Sequence, residues 1–220
     1  MANESRAGLK LHLGCGSTVV PGWVNIDKSP SILLGRVPGL RSALAVARVL
    51  TRDQTRAVFP AGIVRADVRG GLSYPDESVA YVYSSHMIQH MSRWQGLELV
   101  RECRRVLERG GVLRLATPNF EAMMTAYIRG WSRNGEPPAD AVMSGLGHFV
   151  DQPGTRSSMI LRRLFTAPTQ WLYDATSLTR LLNEGGFPDV EIRKFRESAL
   201  PEIDQLEHRE GGLYAEARRP

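Results

Sequence analysis

The chain has 220 residues and a mass of 24.4 kDa, which suits one domain built around one substantial core. Hydrophobic residues make up 42% and charged residues 23%, so neither a disordered nor a fibrous protein is expected. No run approaches the ~18 apolar residues of a membrane helix, and the first residues lack a secretory hydrophobic core. Two cysteines, Cys15 and Cys103, cannot build a disulfide framework or a multi-cysteine zinc site. A cytoplasmic protein without a membrane span is the expectation.

Lys and Arg total 28 against 23 Asp and Glu, a net charge of +5. Of the 28, 25 are Arg, and none stands in a run longer than two. Such a surface attracts anions but lacks the clustered patch of a nucleic-acid binder, so no nucleic-acid partner is expected.

Strands alternate with helices along the chain, the pattern of a parallel sheet covered on its faces. Leu9, Leu11 and Leu13 alternate with Lys10 and His12 and stop at Gly14-Cys15-Gly16, which reads as a strand entering a glycine turn. Val24 to Asp27 and Ile63 to Val68 read as the second and third strands. A helix is expected around Leu40 to Leu50 between them. Val79 to Ser84 is apolar enough for a central strand buried on both faces. Trp94, Leu97, Val100, Cys103, Val106 and Leu107 recur at helical spacing, with Gly110-Gly111 as the stop. Val112 to Ala116 is a fifth strand, Asp174 to Glu184 a capped helix, and Val190 to Phe195 and Leu213 to Arg218 two closing strands. Residues 31–60 and 119–170 interrupt this rhythm as insertions, the second expected to form a lid or acceptor site.

A glycine turn after a first strand exposes backbone N–H groups and lets a ligand approach the chain. The dinucleotide fingerprint wants a third glycine or alanine, where Val19 stands, and an acid about 20 residues on. Asp27 comes only eleven residues after Gly16, with Pro21-Gly22 between, which disfavours nicotinamide and flavin binding. A carboxylate at the end of a second strand can still accept both hydroxyls of a ribose.

Leu13-Gly14-Cys15-Gly16 followed by Pro21-Gly22-Trp23-Val24-Asn25-Ile26-Asp27 resembles a class I S-adenosylmethionine-dependent methyltransferase. Ala66-Asp67-Val68, Tyr83-Ser84-Ser85-His86-Met87-Ile88-Gln89-His90 and Ala116-Thr117-Pro118-Asn119 extend the resemblance, as do Trp171-Leu172-Tyr173-Asp174 and the C-terminal Leu213-Tyr214-Ala215-Glu216-Ala217. More narrowly, the chain is similar to the small type 11-like branch that often works on saccharides. The resemblance implies a Rossmann-like, doubly wound α/β fold with seven strands, mostly parallel, and an antiparallel last strand. It implies S-adenosyl-L-methionine as cofactor, leaving as S-adenosyl-L-homocysteine. Leu13, Gly14, Gly16 and Ser84 would then line its methionine part, Asp27 the ribose, and Asp67 and Val68 the adenine. His12 stands where many relatives carry an acid, and Gln89 replaces the Glu of a usual Glu-His pair.

The implied reaction is methyl transfer to a hydroxyl oxygen of a sugar or other small acceptor. A protonated hydroxyl is a poor nucleophile, so it needs a base or a divalent metal such as magnesium. His148 lies in the second insertion between glycines and Asp151 and is one candidate base; His90 is the other. His86 and His90 have metal-ligand spacing, but the sequence supplies no third ligand, and the metal stays unassigned. Cys15, inside the glycine turn, reads as a packing residue, and Asp174 as a helix cap. The amphipathic, basic segment Met159 to Phe165 offers a homodimer surface. The rival readings are an RNA methyltransferase and a cofactor-binding subunit without catalysis.

Overall fold

The computed structural model describes residues 8–30, 32, 39–46, 60–130, 135, 137–145 and 168–220. Their strands are β1 (Leu9–Leu13), β2 (Val24–Asp27), β3 (Ile63–Arg65), β4 (Val79–Ser85), β5 (Leu107–Pro118), β6 (Val190–Arg193) and β7 (Gly212–Arg218). Their helices are α1 (Leu40–Val46), α2 (Arg93–Val106), α3 (Phe120–Ile128), α4 (Pro138–Gly145), α5 (Ala175–Glu184) and α6 (Ile203–Leu206). The strands form one sheet in the order β3-β2-β1-β4-β5-β7-β6. Strands β1 to β5 pair in parallel, and β7 runs antiparallel to both β5 and β6. The order reverses between β1 and β4, and the crevice of such sheets opens there, at the carboxyl ends of the strands.

Side-chain alternation sends Leu11, Leu13, Val82, Leu113 and Leu115 to one face of the sheet. There they meet Leu99, Val100, Cys103 and Val106 of α2 and Leu178, Leu181 and Leu182 of α5. Both helices begin with a reciprocal cap, Ser92 with Gln95 and Asp174 with Ser177, so Asp174 is the helix cap expected of it. Trp94 falls outside the buried stripe of α2 and is 68% exposed. The glycine pair does not end this helix: α2 stops at Val106, and β5 starts at Leu107 and runs through Gly110-Gly111. The backbone of Gly110 and Gly111 is instead paired with Arg219. The third strand ends at Arg65, because the Asp67 side chain accepts the Arg69 N–H and turns the chain into a 3-10 turn at Val68–Gly70.

The opposite face has no helix between β1 and β2. Asn25 shapes that link instead: its side chain donates to the carbonyls of Val20 and Trp23 and accepts the Val20 N–H. The segment from Lys194 to Glu207, between β6 and β7, crosses back to cover this face, placing Leu200 and Leu206 with Val20, Trp23, Tyr83 and Val112. Polar anchors hold it. Glu202 accepts from Lys10 Nζ at 2.8 Å and Trp23 Nε1 at 3.0 Å. Arg114, fully buried in mid-β5, makes a two-pronged pair with Glu207 at 2.9 Å, lies 3.4 Å from Glu216, and donates to the carbonyls of Lys194 and Glu197.

Removing one partner of a buried charge network leaves the others uncompensated. Arg114→Ala should therefore lower unfolding stability by about 3–5 kcal/mol, measured by urea titration at pH 7. A loss below about 1 kcal/mol would mean that water replaces the guanidinium at no cost.

Candidate cofactor cleft

The chain leaves β1 through Gly14 at φ +69° and Gly16 at φ +56°, a left-handed path that glycine follows without steric penalty. That path aims the Gly14 and Cys15 N–H groups at the Ile26 carbonyl, at 2.8 and 3.1 Å, and the Gly16 N–H at Asp27 Oδ2, at 2.9 Å. The Ser29 N–H donates to Asp27 Oδ1 at 2.6 Å. The carboxylate of Asp27 is thus fixed by two backbone donors at the rim of a cleft of about 470 Å³.

Asp67 and Val68 form part of the cleft beside Asp27. Asp67 accepts from Arg69 Nε and Nη2, with Lys28 Nζ 3.9 Å away. The Arg69 hydrogen bonds, outweighing burial, hold the Asp67 carboxyl below its usual range. The turn after β4 supplies His86, Met87, His90 and Met91 as a further wall. Gly14 is pressed against it, since a methyl group there would lie 2.8 Å from Met87 Cβ. His90 Nδ1 is 3.1 Å from the Pro168 carbonyl. A carbonyl only accepts, so Nδ1 is the donor in this contact. Gln170 closes the same side, donating through Nε2 to the His90 carbonyl and through its N–H to the Gln89 carbonyl.

Residues 11–115 match the family described as a methyltransferase domain. A probable S-adenosylmethionine-dependent methyltransferase of Mycolicibacterium smegmatis is 41% identical over 73 residues, which cover 31% of this chain and 26% of that protein. The chain therefore spans about a quarter of the length of the curated relative it matches. Its sheet, with β1 to β5 parallel and β7 antiparallel, is Rossmann-like. Among solved structures, an S-adenosylmethionine-dependent methyltransferase of Mesorhizobium loti aligns with a TM-score of 0.49 at 20% identity, over 96% of this chain and 91% of that one. PigF with SAH aligns with a TM-score of 0.48 at 14% identity, over 100% of this chain and 52% of that one.

Of the residues singled out in the sequence, Gly14, Asp27, Asp67, Val68 and His90 come together around the cleft. Gly16 acts on it through its bond to Asp27. Leu13 and Ser84 are buried and do not form its wall. His148, Trp131, Phe149 and the segment from Met159 to Phe165 lie outside the described residues. Among the described residues, no group of three or more His, Cys, Asp or Glu is placed to hold a metal ion, and no helix is long and apolar enough to cross a membrane. Cys15 is buried, and burial, reinforced by the Asp27 charge, pushes its thiol up to about 12, which makes it a packing residue and no nucleophile. The sequence reading missed Lys28, Ser29, Arg69, Met87, Met91, Pro168 and Gln170. Ser29 was accessible to it, because an Asp two residues before a backbone N–H makes an Asx turn. Pro168 and Gln170 carried no signal.

His12, in place of the acid of many relatives, does not face the cleft. It is buried on the other side of β1, its Nδ1 3.2 Å from Asn25 Oδ1 and its ring 5.3 Å from that of Tyr83. Burial lowers its pKa to about 4, against a smaller opposing effect of the Asn25 bond. The unfolded chain then binds more protons between pH 6.5 and 4. The stability carried by neutral His12 is complete above pH 6.5 and is lost as the pH falls toward 4. Going from pH 7 to pH 5 should cost the wild type roughly 2 kcal/mol more than His12→Gln, read from urea midpoints. Equal losses in the two proteins would show that His12 is not buried in its neutral form.

Proposed function

We propose that this chain transfers a methyl group from S-adenosylmethionine to a hydroxyl oxygen of a saccharide or similar small acceptor. The observation that carries the reading is the presentation of Asp27. Each carboxylate oxygen already accepts one backbone N–H, and each keeps lone-pair capacity for a further donor. Two adjacent acceptor sites facing a cleft match the vicinal hydroxyls of a ribose. Asp67 and Val68 would flank the adenine, and Gly14, part of the floor of the cleft, the methionine portion. Leu13, Gly16 and Ser84 support that floor from within the domain. Bound there, the cofactor supplies an electrophilic methyl carbon on a sulfonium.

The protein supplies alignment, exclusion of water and a place for the acceptor's proton. Met87, Met91 and Pro168 give the cleft an apolar wall. His90, at the wall of the cleft with Nδ1 against the Pro168 carbonyl, is a candidate for the hydroxyl proton. His148 is a second candidate for that proton on sequence grounds. The need for such a base favours a hydroxyl acceptor, as amines and carboxylates need less help. Among the described residues, the rim cations Lys28 and Arg69 both sit against Asp67, which favours a small acceptor over nucleic acid.

Labelled methyl transfer, screened over oligosaccharides, tRNA and small metabolites, should yield product with a saccharide. Labelled tRNA alone would replace this reading with the nucleic-acid one. His90→Ala should keep homocysteine-product affinity and lose roughly 10²–10⁴-fold in turnover; turnover near the wild-type value would move the proton to His148. Asp27→Ala should weaken S-adenosylhomocysteine by roughly tenfold or more, and unchanged calorimetry would remove Asp27 from the site.

A further inference from the structure

Two strands stand at the edges of the sheet, β3 and β6, each paired along one side only among the described residues. An unpaired edge presents backbone N–H and C=O groups to any second strand, and folded proteins commonly blunt it with charge. On β3, Ile63-Val64-Arg65, the charge has one sign, so a copy laid against it offers no opposite partner. On β6, Val190-Glu191-Ile192-Arg193, the charge has both signs, two residues apart.

That spacing puts Glu191 and Arg193 on the same side of the strand, since side chains alternate. The two touch, and both remain open to solvent, Glu191 62% and Arg193 34% exposed. The other side carries Val190, packed against the core, and Ile192, which is 45% exposed. A second β6 laid antiparallel about a two-fold axis through Ile192 sets Glu191 opposite the partner's Arg193, and Arg193 opposite the partner's Glu191. Ile192 then meets its own copy. Strands so paired lie about 4.8 Å apart, within reach of both charged side chains. Moving the axis by one residue in either direction would set Glu191 against Glu191 or Arg193 against Arg193, so the charges fix the register.

We propose that β6 is the interface of a two-fold homodimer, in which reciprocal Glu191–Arg193 pairs and an Ile192 contact join two sheets into one. The same charges that would repel an unmatched strand select a second copy of this chain. The seam is only four residues long, so the dimer is weak and depends on concentration. Strands β7 and β5 separate β6 from β4, and the cleft is built around the far ends of β1, β2 and β4. Both clefts therefore stay clear of the seam.

Sedimentation equilibrium over a rising series of micromolar concentrations tests this. The weight-average mass should climb from 24.4 kDa toward twice that value. Glu191→Arg alone, or Arg193→Glu alone, sets like charges opposite each other at both crossing points and should raise the dissociation constant roughly tenfold or more. The double variant Glu191→Arg with Arg193→Glu restores opposite signs and should dimerise again. Exposed ion pairs add little to folding, so the urea midpoints of all three variants should stay near that of the wild type, which separates a lost dimer from a lost fold. A mass of 24.4 kDa at every concentration would overturn the proposal. A dimer that withstands both single reversals, or that the double variant fails to recover, would overturn it as well.

Discussion

Gly14 and Gly16 turn the chain through left-handed backbone within three residues, and the amide groups so exposed are spent on the neighbouring strand. Two go to the Ile26 carbonyl and one to the Asp27 carboxylate. This stitch fixes the end of β1 to the end of β2 and sets the carboxylate at the cleft. It also leaves the space that Met87 fills, so that the turn after β4 seats against the turn after β1. A side chain at Gly14 would meet both the positive φ and Met87. The position of both walls of the cleft thus depends on one residue having no Cβ.

The sheet is completed by an unusual division of labour. One face has helices α2 and α5; the other lacks a helix between β1 and β2 and is covered by the segment from Lys194 to Glu207. That segment has few large apolar residues, and a buried cation anchors it. Arg114 would be costly in an apolar sheet face, but here it meets two carboxylates and two carbonyls. The second carboxylate is further satisfied by Ser198 Oγ and the Ala199 N–H. The same segment leads into β7, which joins β5 and β6 in antiparallel pairing and closes the sheet.

Sequence period and turn chemistry made most of the strands legible, since β1, β4 and β7 are apolar enough to read in isolation. The misread elements have local causes. Gly110-Gly111 looks like a helix stop, but the helix had already ended and β5 pairs across the pair of glycines. Arg114 gives no hint in sequence that it is buried, because its partners lie 80 or more residues away. The Asp27 side of the cleft was legible because its parts sit close together in sequence. The wall formed by His86, Pro168 and Gln170 was not, because it is assembled by a contact between the turn after β4 and a segment 80 residues later. The position of His12 was readable as a departure from its relatives, whereas its orientation needed the sheet register, which sets it against Asn25 and Tyr83.

The central claim is that Asp27 reads the vicinal hydroxyls of an adenosine cofactor, and the ligand tests it more directly than the protein does. Calorimetric titration with S-adenosylhomocysteine and with its 2′,3′-dideoxyribose analogue isolates those two hydroxyls while the protein is untouched. The account predicts that the analogue binds at least tenfold more weakly, the loss expected when a part-buried carboxylate loses charge-assisted hydrogen bonds. Equal affinity for the two ligands would contradict it.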